Sequence, residues 1–127
     1  MSGEHDHDEI IEGISEQLRG VFDGSSQGIY VYLDDRHKAC NRRFAEMLGY
    51  PSAAAWNHPG AFTEQYVDEQ SWDALVATYR RAMEHHAAAT VEVTWKRRDG
   101  TLLPTSVILA PIAFRGETLA MHFVTPR

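Results

Sequence analysis

The sequence has a single cysteine, no long apolar run and no strongly basic segment. Cys40 is the only cysteine among 127 residues, so no disulfide can form within the chain. The apolar runs are far shorter than the ~20 residues of a membrane helix, and the start lacks the basic-then-apolar pattern of an export signal. We therefore predict a cytoplasmic protein with one domain and one core, which needs neither a disulfide nor a metal to fold.

Basic residues are outnumbered, and the imbalance lies at one end of the chain. The sequence has 12 Lys and Arg and 18 Asp and Glu, which gives a net charge of −6. Residues 1–27 carry seven acidic side chains and one basic side chain, whereas the remainder is balanced. This distribution disfavours generic nucleic-acid binding, and the acidic end would be repelled by an anionic membrane. We expect neither nucleic acid nor membrane as a partner.

The motifs of common catalytic sites are also missing. The sequence contains no Gly-x-Ser-x-Gly elbow, no Walker loop, no Gly-x-Gly-x-x-Gly and no His-Glu-x-x-His. Cys40 has no histidine at a fixed spacing that would activate it as a thiolate, so a buried structural thiol is the better interpretation. We predict that the protein is not an enzyme.

Two segments contain histidines that could bind a metal ion. The stretch His5-Asp-His-Asp-Glu9 offers imidazole and carboxylate ligands, but a solvated acidic tail has the same composition and would chelate only weakly. His85 and His86 are adjacent, so they project ~100° apart on a helix and cannot share one ion. No functional metal site is predicted.

The N-terminal segment predicts an amphipathic helix. Ile10, Ile11, Ile14 and Leu18 fall on one helical stripe over residues 8–18, after a polar tail at residues 1–7. We therefore divide the chain into an acidic tail with this helix, residues 1–20, and a globular domain, residues 21–127.

The globular domain alternates between strand and helix patterns. Residues 29–33 and about 37–40 are expected to be strands, and Asn41 is a good N-cap for a short helix. Residues 52–67 predict one or two short helical turns, and residues 68–86 give the strongest helical pattern, that of one long helix. Three antiparallel strands follow, joined at Asp99-Gly100 and Arg115-Gly116. The expected fold class is α+β: one antiparallel sheet of about five strands, with short helices and one long helix on one face.

Several of these segments carry motifs of a known family. They are Gly28-Ile-Tyr-Val-Tyr-Leu-Asp34, Asn41 opening a helix with Phe44, Leu48-Gly-Tyr50, Lys96-Arg-Arg-Asp-Gly100 and residues 107–112. In this order and spacing the chain resembles a PAS domain, the sensory fold of signalling proteins, over about residues 19–125. The resemblance implies a non-catalytic sensory module that binds a small molecule or mediates regulated protein–protein association with a signalling partner.

One departure concerns the end of the domain. PAS domains of sensor kinases commonly finish with Asp-Ile-Thr leading into a signalling helix, whereas this sequence has Phe123-Val-Thr125. A free-standing protein and a domain of a longer sensor both remain open.

The resemblance also bears on cofactors. Flavin-binding light sensors of the family carry a reactive cysteine in Asn-Cys-Arg-Phe, but residues 52–67 contain no cysteine. Haem-binding oxygen sensors place an axial histidine about eight residues before a Tyr-Arg pair. Here that pair is Tyr79-Arg80, and Trp72 stands at the axial position. Flavin, and haem held in this way, are disfavoured. Haem ligation by His58 or His85 in another arrangement and an unknown small ligand both remain open.

The family's usual pocket lies between the inner face of the sheet and the helices. Ile29 and Val31 are expected to face it, but most inner-face residues will simply form core, and Trp95, Leu109 and Phe62 are bulky enough to fill the space. Tyr66, Tyr79 and Trp95 are the candidates with polar groups that could orient a ligand. The full candidate set is Phe44, Met47, Trp56, Phe62, Tyr66, Leu75, Tyr79, Val93, Trp95, Val107 and Leu109.

A homodimer is expected through the other face of the sheet. If Ile29 and Val31 point to the helices, the neighbouring Tyr30 and Tyr32 must point away. The N-terminal helix has an apolar stripe that could cover this face within one chain or between two chains, and we predict the second arrangement. The candidate interface comprises Ile10, Ile11, Ile14, Leu18, Tyr30, Tyr32 and Ile108.

Two other functions were considered. The first is a ligand-free PAS module for protein interaction or dimerisation. The second is a small cone-shaped α+β isomerase, which needs a carboxylate or histidine with a perturbed pKa in an apolar cavity. No Asp, Glu or His occurs among the candidate inner positions, which argues against the isomerase.

Overall fold

A computed structural model describes residues 3–127, with side chains from residue 6 onward. Six helices and a short 3-10 turn, Glu69–Ser71, occur in this range. The helices are α1 Gly3–Gln17, α2 Arg19–Gly24, α3 Arg42–Met47, α4 Ala53–Trp56, α5 Phe62–Tyr66 and α6 Trp72–His85. The strands are β1 Gly28–Asp34, β2 His37–Cys40, β3 Ala89–Lys96, β4 Leu102–Phe114 and β5 Glu117–Pro126. None of the described helices is long and apolar enough to cross a membrane.

The helix at the start of the chain is longer than its apolar stripe predicted. It begins at Gly3, so the expectation of a polar tail over residues 1–7 is wrong from residue 3 onward, while residues 1 and 2 lie outside the described part. Asp6 and Asp8 extend the helix because acidic side chains are favourable near its positive N-terminal end.

The five strands form one antiparallel sheet in the order β2-β1-β5-β4-β3. This confirms the predicted fold class. Arg115 and Gly116, with φ of 50° and 83°, make the tight turn between β4 and β5. The turn places Leu109 opposite His122, and β5 in turn places His122 opposite Tyr30. These three residues therefore share one face of the sheet.

The inner face of the sheet packs against α3, α4, α5 and α6. Its core is dominated by rings: Phe44, Trp56, Phe62 and Tyr66 from the helices meet Trp95 from β3. Trp95 is fully buried and donates a hydrogen bond from its indole N–H to Thr105 Oγ1 over 2.8 Å. A second group on this face joins Ala82 of α6 to Leu109 and Ala120.

The outer face is covered by α1 of the same chain. Ile10 and Ile14 pack against Ile29, Val31 and Met121 and are 7% and 5% exposed. The expectation that Ile29 and Val31 face the inner helices is therefore wrong.

Tyr30 and Tyr32 correspondingly pack on the inner side. Alternation could not distinguish the two faces, because all four successive residues from Ile29 to Tyr32 are large and at least partly apolar, and both faces of β1 are covered.

Asn41 joins β1, β2 and α3. Its Oδ1 accepts hydrogen bonds from the backbone N–H groups of Ile29 and Phe44, each over 2.9 Å. Its Nδ2 donates to the carbonyls of Phe22 and Gln27 over 3.2 and 3.1 Å. The predicted N-cap is therefore confirmed, and the same side chain also fixes the start of β1.

Candidate functional site

A cavity of about 270 Å³ lies between β1, β5, α5 and α6, and we refer to it as the β1–α6 cavity. Its buried part is formed by aromatic and aliphatic side chains and one histidine, while polar side chains lie nearer the solvent. The lining residues are Tyr30, Tyr32, Asp35, Phe62, Thr63, Leu75, Val76, Tyr79, Arg80 and His122.

The cavity coincides with only part of the predicted pocket. Phe62, Leu75 and Tyr79 line it, as does Tyr30, which had been placed on the opposite face. The other candidates belong to the packed core or its edge instead of the lining; they are Phe44, Met47, Trp56, Tyr66, Val93, Trp95, Val107 and Leu109.

The packing of rings explains this difference. Phe44 and Trp95 lie 5.2 Å apart between ring centroids, and Trp56 stacks on Tyr66 at 5.0 Å. The rings occupy the region between the sheet and the short helices, so the remaining space is displaced toward α6. Lys38 also closes this region, because its Nζ donates hydrogen bonds to the carbonyls of Asp35 and His58 over 2.5 and 2.6 Å.

Tyr30 and His122 form the most unusual part of the lining. Their rings stack at 3.9 Å with an angle of 8° between planes, and the two residues are 1% and 2% exposed. Tyr30 Oη and His122 Nδ1 have no hydrogen-bond partner among the residues described. Buried polar atoms of this kind usually have a partner in proteins, so two on stacked residues that line one cavity are a notable exception.

His122 was missed by the sequence analysis, although a signal existed. Leu109 was assigned to the inner face, and a two-residue turn at Arg115-Gly116 places His122 directly across from it. The inner face therefore does carry a histidine, and the argument against an isomerase from the absence of such a residue is wrong.

Burial keeps the cavity's inner groups uncharged near neutral pH. It lowers the pKa of His122 to about 3, with the backbone near Ala120 and Tyr30 offsetting only part of the effect. Burial also raises the pKa of Tyr30 well above its ordinary value, and the neighbouring Tyr32 adds to that shift. The pKa values of Tyr32 and Tyr79 are likewise raised, again mainly by burial.

Charged groups lie toward the rim of the cavity. Asp35 Oδ1 accepts a hydrogen bond from the Tyr32 hydroxyl over 2.7 Å and a longer one from the Phe62 N–H over 3.3 Å. Arg80 of α6 is exposed and has no ion pair or hydrogen bond among those described. At the rim, the Asp35 carboxylate is therefore already hydrogen-bonded within the protein, whereas the Arg80 guanidinium faces solvent.

Cys40, considered above as a nucleophile, and Trp72, at the position of a haem ligand, both have structural roles. Cys40 is buried in the core, and burial raises the pKa of its thiol to about 12, so it is a poor nucleophile. The Trp72 indole donates to the Val67 carbonyl over 2.8 Å.

Comparison with known proteins agrees with this architecture. A family model described as "PAS domain" matches residues 16–84. No curated protein matches the sequence. The PAS domain of an HTR-like protein from Haloarcula marismortui superposes with a TM-score of 0.67 at 24% identity, covering 92% of this chain and 94% of that one.

Two further solved structures are similar. A PAS domain from Colwellia psychrerythraea gives a TM-score of 0.66 at 16% identity, covering 90% of this chain and 97% of that one. A LOV protein from Rhodobacter sphaeroides gives 0.63 at 20% identity, covering 87% of this chain and 66% of that one. At these identities the similarity establishes a common fold.

Proposed function

This chain belongs to the PAS domain family, and on that premise we propose that it is a sensory module whose signal is a small molecule bound in the β1–α6 cavity. The observation that carries the proposal is the pair of unpartnered buried polar atoms, Tyr30 Oη and His122 Nδ1. A ligand that hydrogen-bonds to either atom gains an interaction at a group that has already been removed from water.

Size and polarity restrict the chemistry of the ligand. A volume of about 270 Å³ is near the lower limit of roughly 300 Å³ for pockets that hold drug-sized molecules. The walls are mostly aromatic and neutral, and the exposed charge at the rim is that of Arg80. The site suits a molecule of one ring or a short chain, with an apolar body, one hydrogen-bonding group, and at most one negative charge directed at the rim.

The proposed role is non-catalytic, despite the buried histidine. General acid–base catalysis is most effective when the pKa of the catalytic group lies near the working pH. Burial lowers the pKa of His122 to about 3, so at neutral pH the ring is a weak base that holds a ligand but does not take its proton.

A ligand-free interaction module is the second candidate. The interlocked rings around Trp95 and Trp56, both 0% exposed, favour it because they already fill much of the inner face. The two functions differ in one measurable property, which is retention of a small molecule by the β1–α6 cavity.

Native mass spectrometry of the full chain purified from its own host tests the proposal. We expect the wild-type chain to carry a bound mass of small-molecule size. Val76→Phe adds a ring to the lining on α6 and should remove that mass. Ala77→Phe is the matched control, because it adds the same ring one residue along the helix at an exposed position that does not line the cavity.

The outcomes separate the two candidates. A mass that is present in wild type and Ala77→Phe but absent from Val76→Phe supports the sensor. Absence of any retained mass in the wild type, together with no chemical-shift change on titration with a panel of single-ring compounds, would reject the ligand and favour the interaction module.

A further inference from the structure

A group of histidines and carboxylates ties α1 to the hairpin of β1 and β2, and none of its three candidate ligands lines the cavity described above. His7 comes from α1, Asp34 from the end of β1 and His37 from the start of β2. One ligand atom from each lies within 4.8 Å of the other two. His7 is 27 positions before Asp34 in the sequence, so the three residues come together only when α1 docks on the hairpin.

The carboxylate of Asp34 lies between the two imidazoles. His7 Nδ1 is 2.9 Å from Oδ2, and His37 Nδ1 is 2.7 Å from Oδ1. A tetrahedral zinc ion with bonds of about 2.0–2.1 Å holds its ligand atoms roughly 3.4 Å apart. Both nitrogen–oxygen distances are within that value, and all three ligand atoms lie within 4.8 Å of one another, so small side-chain movements would bring them around one ion.

The far side of each imidazole also faces a carboxylate. His37 Nε2 is 3.0 Å from Asp8 Oδ1, and His7 Nε2 is 3.9 Å from Glu117 Oε2. Histidines that ligate metals typically donate their second ring N–H to a carboxylate or carbonyl, which fixes the tautomer and strengthens the ligand. Asp8 lies within hydrogen-bond distance of the second ring nitrogen of His37, whereas Glu117 is farther from that of His7, and both Nδ1 atoms contact the Asp34 carboxylate.

From this geometry we propose that His7, Asp34 and His37 form a binding site for a divalent transition-metal ion such as Zn²⁺. Asp8 is the carboxylate placed to orient the imidazole of His37. Two nitrogens and a carboxylate are the ligands that zinc, cobalt and nickel accept, whereas calcium and magnesium require oxygen alone. The side chains of His7 and Asp34 are 29% and 40% exposed, which leaves a route for the ion and positions for water.

This site differs from weak chelation by the N-terminal segment. Only His7 of the proposed ligands belongs to that segment, and the other two are contributed by the hairpin. Binding by the site therefore requires the folded domain with α1 docked, and an ion that binds it will stabilise that docking.

Zinc titration of the full chain, prepared without a histidine tag and freed of metal with a chelator, tests the site. Calorimetry should give one Zn²⁺ per chain, and Co²⁺ should give the visible absorption of a four-coordinate ion. Asp34→Asn and His37→Gln should each weaken binding by at least about tenfold, and Asp8→Asn by roughly tenfold to a hundredfold at most. The wild-type melting temperature should rise with Zn²⁺.

The matched control is the double variant His85→Gln/His86→Gln, which removes an exposed histidine pair from the end of α6. Its affinity should equal that of the wild type. Equal affinity in Asp34→Asn and His37→Gln would assign binding to residues 5–9 alone and overturn the site. Absence of binding at micromolar Zn²⁺ would overturn it as well.

Folding is checked by circular dichroism for every variant. Because His37 is buried, Asp34→Asn carries the test alone if His37→Gln does not fold: the Asp34 side chain is 40% exposed and belongs to the hairpin, not to residues 5–9.

Discussion

Single polar side chains hold together parts of this domain that are far apart in sequence. Asn41 is the clearest case, because its amide bonds four backbone groups in the segment before β1, in β1 and in α3. Sequence analysis could predict the cap from the residue type. It could not predict the other three bonds, since they depend on where Phe22, Gln27 and Ile29 lie in the fold.

Replacing Asn41 by Ala should therefore destabilise the domain far more than loss of an ordinary cap. We expect Asn41→Ala to lower the free energy of unfolding by about 3 kcal/mol or more, because it leaves several buried backbone groups unpaired. Ser52→Ala is the control: Ser52 caps α4 through a single exposed bond to Ala55 N–H, and its loss should cost about 1 kcal/mol. Equal losses in urea unfolding would contradict the joining role of Asn41.

His122 predicts a specific dependence of stability on pH. Its pKa is about 3 in the folded state, against roughly 6.5 for an ordinary histidine. Between these values the unfolded chain binds a proton that the folded chain does not, so stability falls as the pH is lowered. The limiting slope for one such group is about 1.4 kcal/mol per pH unit.

The variant His122→Phe keeps a ring to stack on Tyr30 but cannot titrate. Between pH 6 and pH 4.5 its free energy of unfolding should fall less steeply than that of the wild type, by about 1 kcal/mol per pH unit. All other ionisable groups, including Asp35 in the same cavity, are present in both proteins, so the difference between the two curves reports on His122. Parallel curves in denaturant unfolding would show that His122 is not buried in neutral form.

At the scale of elements, the sequence predicted types and order better than orientation. The long helix, the β4–β5 turn and the five strands each have a strong local signal. Which side chains of β1 point to which face of the sheet has no such signal. Its four successive large residues suit either face, because both faces are covered. The location of the cavity was likewise beyond sequence pattern, since it depends on which rings of the core meet.

The helix α1 should depend on its contact with the sheet. A 15-residue helix is marginal alone, and Gly13 weakens it further. Ile14→Asp places a charge against Ile29 and Leu119 and should release α1, so its amides should lose protection in hydrogen exchange while those of β4 and β5 keep theirs. Gln17→Asp, at an exposed position of the same helix, should leave protection unchanged. Retained protection of α1 in Ile14→Asp would refute this dependence.

At the scale of the whole molecule, the structure leaves only part of the predicted dimer interface free. Ile10 and Ile14 are used within the chain, and Tyr30 lies in the core. The part of the outer face that α1 leaves open is on β4, where Ile108 is 46% exposed. Ile11 and Leu18 remain partly buried at the edge of α1.

We expect self-association through this open part of the outer face. Ile108→Lys should shift the full chain to monomer in sedimentation, whereas Val21→Lys should not, because Val21 is equally exposed at 47% but lies on α2 and not on the sheet. The acidic residues of the first 27 positions would repel across an interface, so added salt should tighten it. A wild-type chain that is monomeric at tens of micromolar and moderate salt would reject the dimer.

Asp34 and Asp35 are neighbours in one turn, yet their side chains belong to opposite sides of the sheet. Asp34 contacts His7 of α1, whereas Asp35 contacts Tyr32 and Phe62 at the cavity. The two sides of the sheet therefore share a backbone segment. If a ligand in the cavity stabilises the docked position of α1, docking of α1 must increase the affinity for that ligand by the same free energy. Such a linkage would couple occupancy of the cavity to the docking of α1.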